Sequence, residues 1–303
     1  PRALRLAISC SDGRCAMGFR LANVAGRAAL VAGEHFYDLE RASGGALSAN
    51  PMAAIADAAA LSDLAATLAD LEPSGSVVGA PLECPVPAPQ KSFGIGLNYV
   101  DHADEGKMDV PANPLVFTKF PSCLVGPYAD IELRSDACDY EGELVVVIGP
   151  GGKDIAAANA WDHVAGLTVG QDFSDRGAQF AAKPPHFDLG KSFDTFGPMG
   201  PVLVSPDEVA DKSDLAVRTL VNDEVRQDDT TANLIFDVPT LISYLSRITT
   251  LVTGDVIFTG TPAGVGAVQG KFLADGDVVT TTIDGIGSLV NRCVRVTDYV
   301  QTS

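Results

Sequence analysis

Apolar residues recur along this chain mostly as short β-branched runs, and in three stretches as helices. Leu144 to Ile148 is a continuous apolar run, which predicts a strand buried on both faces. Side chains alternate along a strand, so Glu141, Glu143, Val145 and Val147 share one face. Leu144, Val146 and Ile148 take the other. Val164 to Phe173 reads as a second buried strand with Asp172 at its far end, and Leu115 to Phe120 as a third with Lys119 inside it. Gly200 to Ser205 and Asp255 to Thr259 add two more. A hairpin is expected from Leu215 to Gln227 around Asn222-Asp223, and a last one from Asp277 to Ile283 and Gly287 to Val296. The helical spacings are these. Asn50-Pro51 opens a helix with the stripe Leu61, Leu64, Leu68 and Leu71, ended by Pro73-Ser74-Gly75. Asp237-Val-Pro239 opens another with Leu241, Ile242, Leu245 and Ile248 inward, and Ile155 to Trp161 reads as a short helix.

Proline divides the chain. Ala80 to Gln90 carries prolines at 81, 85, 87 and 89, a stiff extended linker. Residues 1–85 are therefore expected to form a small α+β domain, begun by short strands at Leu4 to Ser9 and Cys15 to Leu21 with a turn at Asp12-Gly13. Residues 86–303 form the larger domain and hold every candidate catalytic group. His35 has no metal-ligand partner nearby and reads as a surface or packing residue.

Composition narrows the partners. With 46% apolar residues, 303 residues suffice for a real core. No apolar run reaches the roughly 18 residues that span a bilayer, and no export signal opens the chain. A net charge of −18 argues against nucleic acid and anionic membranes. Cysteines 10, 15, 84, 123, 138 and 293 form no C-x-x-C pair, which fits reduced thiols in a cytoplasmic protein.

Candidate chemistry gathers at strand ends. Glu141 and Glu143 face the same way with only Gly142 between them, where like charges repel unless a cation joins them or water reaches them. On a helical turn His102 and Glu105 would be i, i+3 neighbours, the arrangement of a general base held by a carboxylate, though a solvated acidic turn has the same spacing. Lys119 either snorkels to the surface or offers a cation to a ligand. An aspartate closing a strand, as Asp172 does, is often a helix N-cap. Gly260-Thr-Pro-Ala-Gly-Val-Gly266 is dense enough in glycine for backbone N–H groups to approach an anion, with the Thr261 hydroxyl as a further donor.

Five separated segments share one pattern. Gly96-Leu-Asn-Tyr-x-x-His-x-x-Glu105, Asp139-Tyr-Glu-x-Glu-Leu144, Gln171-Asp-x-Ser-x-Arg176, Gly190-Lys-Ser-Phe-Asp194 and Thr259-Gly-Thr-Pro-x-Gly-Val-Gly266 resemble, in order, the fumarylacetoacetate hydrolase family. The resemblance covers residues 91–303, and more weakly the small N-terminal domain of longer bacterial members. It implies an α+β fold, a roll of mixed β-sheets, that commonly forms homodimers. It implies that Glu141, Glu143 and Asp172 hold a divalent metal, and that His102 with Glu105 activates water. Lys191 would stand beside the metal, while Thr261 and Gly260 clamp a substrate carboxylate and Arg176, Gln179 and Lys119 line the pocket. Gly177, where many members carry an acidic residue, departs from the pattern, as does Asn222-Asp223 in place of Asn-Gly.

Three carboxylates without His or Cys make a hard oxygen site, suited to Mg2+ or Mn2+. A small 2-oxo acid can chelate such an ion, whose charge stabilises an enolate. With this chemistry, the resemblance implies hydrolysis of the C–C bond of a 2,4-dioxo acid of the acylpyruvate type, within aromatic or sugar-acid catabolism. Decarboxylation of oxaloacetate or isomerisation of a 2-hydroxy-diene-dioate would use the same site, and a non-catalytic dicarboxylate binder would share the metal but need no base. The polar stretch 100–113 buries little apolar surface, which marks it as a lid over the base.

Overall fold

A strand buried on both faces needs partners on both edges, and the Gly142–Ile148 strand has them. In the computed structural model, which describes residues 18–105 and 109–296, it pairs antiparallel with Val164–Gln171 along its whole length. On its other edge lies Val256–Phe258, also antiparallel. Outward from there come Ser92–Gly96, in parallel, and Leu115–Thr118. In the opposite direction Val164–Gln171 pairs with Gly197–Val204, which meets Arg20–Val24 at Arg20 opposite Val204. The strands at 27–32, 35–38 and 75–76 continue the same sheet. The segment before residue 85 thus shares a sheet with the rest of the chain, and part of the proline-rich stretch, Leu82–Glu83, pairs with Arg20–Val24. The strands expected at Leu4 to Ser9 and the turn at Asp12-Gly13 lie outside the described residues.

A second, five-stranded sheet orders Glu224–Thr230, Ala216–Val221, Val278–Ile283, Gly287–Arg295 and Ile131–Leu133. The expected hairpins form two of its pairs. Asn222 takes a left-handed φ of 56° at the first turn, a conformation asparagine tolerates. The chain is α+β, with its core on both sides of the central strand. Leu144, Val146 and Ile148 pack with Val217, Ile283 and Leu289 of the second sheet and with Leu241, Ile242 and Leu245. Val145 and Val147 pack with Leu21, Leu30 and Leu61 from the N-terminal part. Among the described residues no helix is long and apolar enough to cross a membrane.

Helices follow their caps. Asp237 accepts from Thr240 N and starts Val238–Ile248, with Pro239 in the first turn. Leu241, Ile242 and Leu245 are buried as expected, but Ile248 is 67% exposed, because the stripe outruns the surface it packs on. Asn50 caps Pro51–Ala54, but that helix does not run on to Leu71. Asp57 accepts from Ala60 N and opens a separate helix, Ala58–Ala65, so a second cap inside the periodic stretch divides it. The residues from Ile155 form a 3-10 segment, Ala157–His163. Asp237→Ala should lower stability by about 1 kcal/mol. A urea denaturation midpoint that falls with an unchanged slope would show this; an unchanged midpoint would mean that packing alone holds the helix.

Candidate metal centre and active-site cavity

Strand register assembles the carboxylates. Glu141 precedes the central strand, Glu143 lies in it, and Asp172 follows Val164–Gln171. Pairing Gly142 with Gln171 sets Asp172 beside Glu141, and Asp172 N donates to Glu141 O at 2.8 Å. One oxygen from each of Glu141, Glu143 and Asp172 lies within 4.8 Å of the others, and all three residues are buried. Only glycine fits between the two glutamates, since a Cβ at Gly142 would meet Thr219 Oγ1 at 2.2 Å. Capping of the next helix falls to Asp175, which accepts from Ala178 N, so Asp172 is left to the cluster.

Three cations surround these acids. Lys191 Nζ donates to Glu141 Oε2 and Asp172 Oδ2, both at 2.7 Å, and to Ser174 Oγ at 2.9 Å. Arg176 Nη2 donates to Glu141 Oε1 at 2.6 Å, and its Nε and Nη2 grip Asp139 Oδ2 at 2.9 and 2.7 Å. Burial opposes ionisation of Glu141, but Lys191 and Arg176 outweigh it and hold its pKa down to about 2. Glu143 is different, for among the described residues its oxygens accept only from Gly260 N, at 2.7 Å. Burial, together with the charges of Asp172 and Glu141, pushes its carboxyl well above the usual range. The donor set is all oxygen, and one of its members lacks a compensating cation. A divalent ion such as Mg2+ or Mn2+ fits that deficit.

Lys119 goes neither to the surface nor to the cavity. Its Nζ is buried behind Asp172, donating to Asp172 Oδ1 at 2.7 Å, to Phe196 O at 3.2 Å and to Lys191 O. Burial alone would lower its pKa, but Asp172 outweighs that and raises it. Pocket lining was the expectation for Lys119; counter-charge beneath the carboxylates is what the fold makes of it.

A cavity of about 300 Å³ opens in front of the cluster, with His102, Glu141, Arg176, Gln179, Lys191 and Thr261 in its wall. Phe180, Phe187, Val265 and Val268 supply an apolar side. His102 comes from the helix Val100–Glu105, and its Nδ1 is buried without a hydrogen-bond partner. Glu105 Oε2 stands 4.0 Å from that nitrogen and accepts instead from Gly264 N at 2.9 Å. Burial lowers the His102 pKa in spite of Glu141, favouring the neutral imidazole a base requires. Of the stretch expected to act as a lid, residues 106–108 lie outside the described residues.

Gly260 and Thr261 are in place but already engaged. Gly260 N serves Glu143, and the Thr261 hydroxyl donates to Gly142 O at 3.0 Å while accepting from Gln227 Nε2 at 2.7 Å. Gln227 and Asp139 are the residues that sequence reasoning missed. Asp139 receives Gly266 N and Ala267 N besides Arg176. Its place in the 139–144 motif was a signal; for Gln227, one polar residue in a strand, there was none.

The family pattern described as fumarylacetoacetate (FAA) hydrolase C-terminal matches residues 91–294. A mitochondrial oxaloacetate tautomerase of Homo sapiens is 44% identical over 214 residues, 69% of this chain and 68% of that protein. An HpcE-type protein of Mycobacterium smegmatis superposes with a TM-score of 0.84 at 40% identity, over 91% of this chain and 99% of its own. A maleylpyruvate hydrolase of Sphingobium sp. SYK-6, solved with manganese(II) and pyruvate, gives 0.78 at 31% identity, over 91% and 99%.

Two substitutions check the charge account. Glu143→Gln keeps the bond from Gly260 N and removes the uncompensated acid, so the metal-free protein should be at least as stable as the wild type. Its Mn2+ affinity by calorimetry should fall by about 100-fold or more; undiminished affinity would remove Glu143 from the metal site. Lys119→Met should destabilise the metal-free protein by about 3 kcal/mol, because Asp172 keeps only one of its two cations. Unchanged denaturant stability would mean that Lys191 alone compensates Asp172.

Proposed function

This chain belongs to the fumarylacetoacetate hydrolase family, and from that we propose a divalent-metal-dependent enzyme that interconverts the enol and keto forms of oxaloacetate-like 2-oxo acids. The observation that carries the reading is His102, which lines the cavity as a partly buried imidazole whose Nδ1, among the described residues, makes no hydrogen bond, Glu105 standing 4.0 Å away. Moving a proton between C3 and the C2 oxygen needs one neutral base and no activated water, so it does not require a carboxylate hydrogen-bonded to the imidazole. The 44% identity with an oxaloacetate tautomerase supports the same choice over the C–C hydrolysis expected first.

Mg2+ or Mn2+ held by Glu141, Glu143 and Asp172 would supply Lewis-acid stabilisation of the developing enolate oxygen. The rest falls to side chains. His102 takes the proton from C3 of the keto acid and passes it to the C2 oxygen to give the enol; in the reverse direction it takes the enol O–H proton and returns it to C3. The Lys191 ammonium, shared by Glu141 and Asp172, places positive charge at the same end of the cavity. Thr261 and the glycine segment meet the C1 carboxylate, and Arg176 with Gln179 faces the distal one. The apolar wall of Phe180, Phe187 and Val268 keeps bulk water from the base.

A second reading keeps the site and changes the bond. Structural likeness to a maleylpyruvate hydrolase favours C–C cleavage, for which Glu105 would leave Gly264 N and orient His102. The two are separable with one panel. Enol-oxaloacetate decay by ultraviolet absorbance, and loss of an acylpyruvate, are each followed with Mg2+, with Mn2+ and with chelator. Accelerated decay of the enol, abolished by chelator, is expected; cleavage of the acylpyruvate without it would sink the tautomerase reading. His102→Ala should slow the reaction by about 100-fold or more while oxalate still binds the Mn2+-loaded protein. A wild-type rate in that variant would place the base elsewhere.

A further inference from the structure

Gln227 belongs to the Glu224–Thr230 strand of the second sheet, is 1% exposed, and pairs both ends of its amide within the site. Oε1 accepts from Gly142 N at 2.9 Å, between the two glutamates. Nε2 donates to Thr261 Oγ1 at 2.7 Å and to Pro262 O at 2.9 Å. A backbone N–H can only donate and a backbone carbonyl only accept, so the amide has one possible orientation. Nε2 must face Thr261.

That orientation constrains the hydroxyl. Thr261 has one proton and two lone pairs, and Gln227 fills a lone pair while the proton points to Gly142 O at 3.0 Å. We propose that Gln227 is a positioning residue which makes Thr261 a hydrogen-bond donor toward an anionic oxygen in the cavity, and so selects a carboxylate there. The assignment rests on the functional reading above. When a carboxylate arrives, the Thr261 proton rotates from Gly142 O to the ligand, and no heavier atom need move. Gln227 continues to donate in both states, so the hydroxyl meets the ligand proton first.

The segment around Thr261 has other anchors. Gly260 N is held by Glu143, Gly264 O by the Tyr140 hydroxyl, and Gly266 N and Ala267 N by Asp139. Loss of the Gln227 amide therefore leaves the segment around Thr261 tethered while it frees the hydroxyl and removes the partner of Gly142 N and of Pro262 O, of which Gln227→Glu restores the first. An apolar side chain at 227 would fill the space equally well but would direct no proton.

Pyruvate binding to the Mn2+-loaded full chain, measured by calorimetry, tests this in a double-mutant cycle. Gln227→Met should raise the pyruvate Kd about tenfold, leave the Mn2+ Kd within about twofold, and add nothing once Thr261→Val is present. Gln227→Glu, closest in size, keeps the acceptor for Gly142 N and loses the donor; it should weaken pyruvate at least as much and covers the case in which the methionine variant does not fold. An unchanged pyruvate Kd in either folded variant, or an equal loss with and without Thr261→Val, overturns the role of Gln227. No pyruvate binding by the wild type overturns the functional reading, and this assignment with it.

Discussion

Everything about the site depends on keeping three carboxylates together in a largely buried position at the back of a cavity. Glu141, Glu143 and Asp172 crowd their oxygens within 4.8 Å, and the surrounding fold is arranged to make that tolerable. Lys191 bridges two of them, Lys119 backs one from below and Arg176 backs another from the side. Each of these cations would itself be costly to bury alone, so acids and bases are mutually required. The balance stops short at Glu143, whose one protein donor is an amide N–H. That deliberate-looking deficit has a plain physical sense: a site fully neutralised by its own side chains would have little reason to take up a metal.

The same charges set the chemistry in front of them. Lys191 and Arg176 spend most of their hydrogen bonds on carboxylates yet stand in the cavity wall, so their field reaches a bound anion. His102, partly buried and, among the described residues, without a hydrogen bond on Nδ1, has its pKa lowered by burial, which favours the neutral ring. On the proposed function, a dicarboxylic 2-oxo acid would meet positive charge where its carbonyl oxygen gains electrons and a base where its carbon loses a proton.

The two sheets divide the work. The large one supplies register, bringing Glu141 beside Asp172 and Val256–Phe258 to the edge from which Gly260 and Thr261 leave. The five-stranded one supplies orientation from behind. Gln227 holds Gly142 N, and Thr281 receives Gln171 Nε2 while Gln171 Oε1 accepts from Glu141 N. The carboxylate-bearing strand and the segment from Gly260 to Gly266 are thereby referenced to one buried scaffold, which is how sites gain the precision chemistry needs.

Local patterns by themselves determined the central strand, its two faces, both hairpins and the Asp237 cap, because each depends on residues adjacent in the chain. They also exposed the carboxylates, the His102–Glu105 spacing and the glycine segment, since ordered motifs survive without knowledge of packing. Tertiary structure alone decided where Lys119 goes, because a lysine inside an apolar strand has two outcomes until its partner is known, and that partner, Asp172, lies far along the chain. It decided that Ile248 faces solvent, since periodicity sets the direction of a side chain but not the extent of the surface opposite. It joined the segment before residue 85 to the large sheet through hydrogen bonds that no linker composition reveals. And it gave Gln227 a purpose, because a buried amide acquires direction only from the donors and acceptors that folding brings to its two ends.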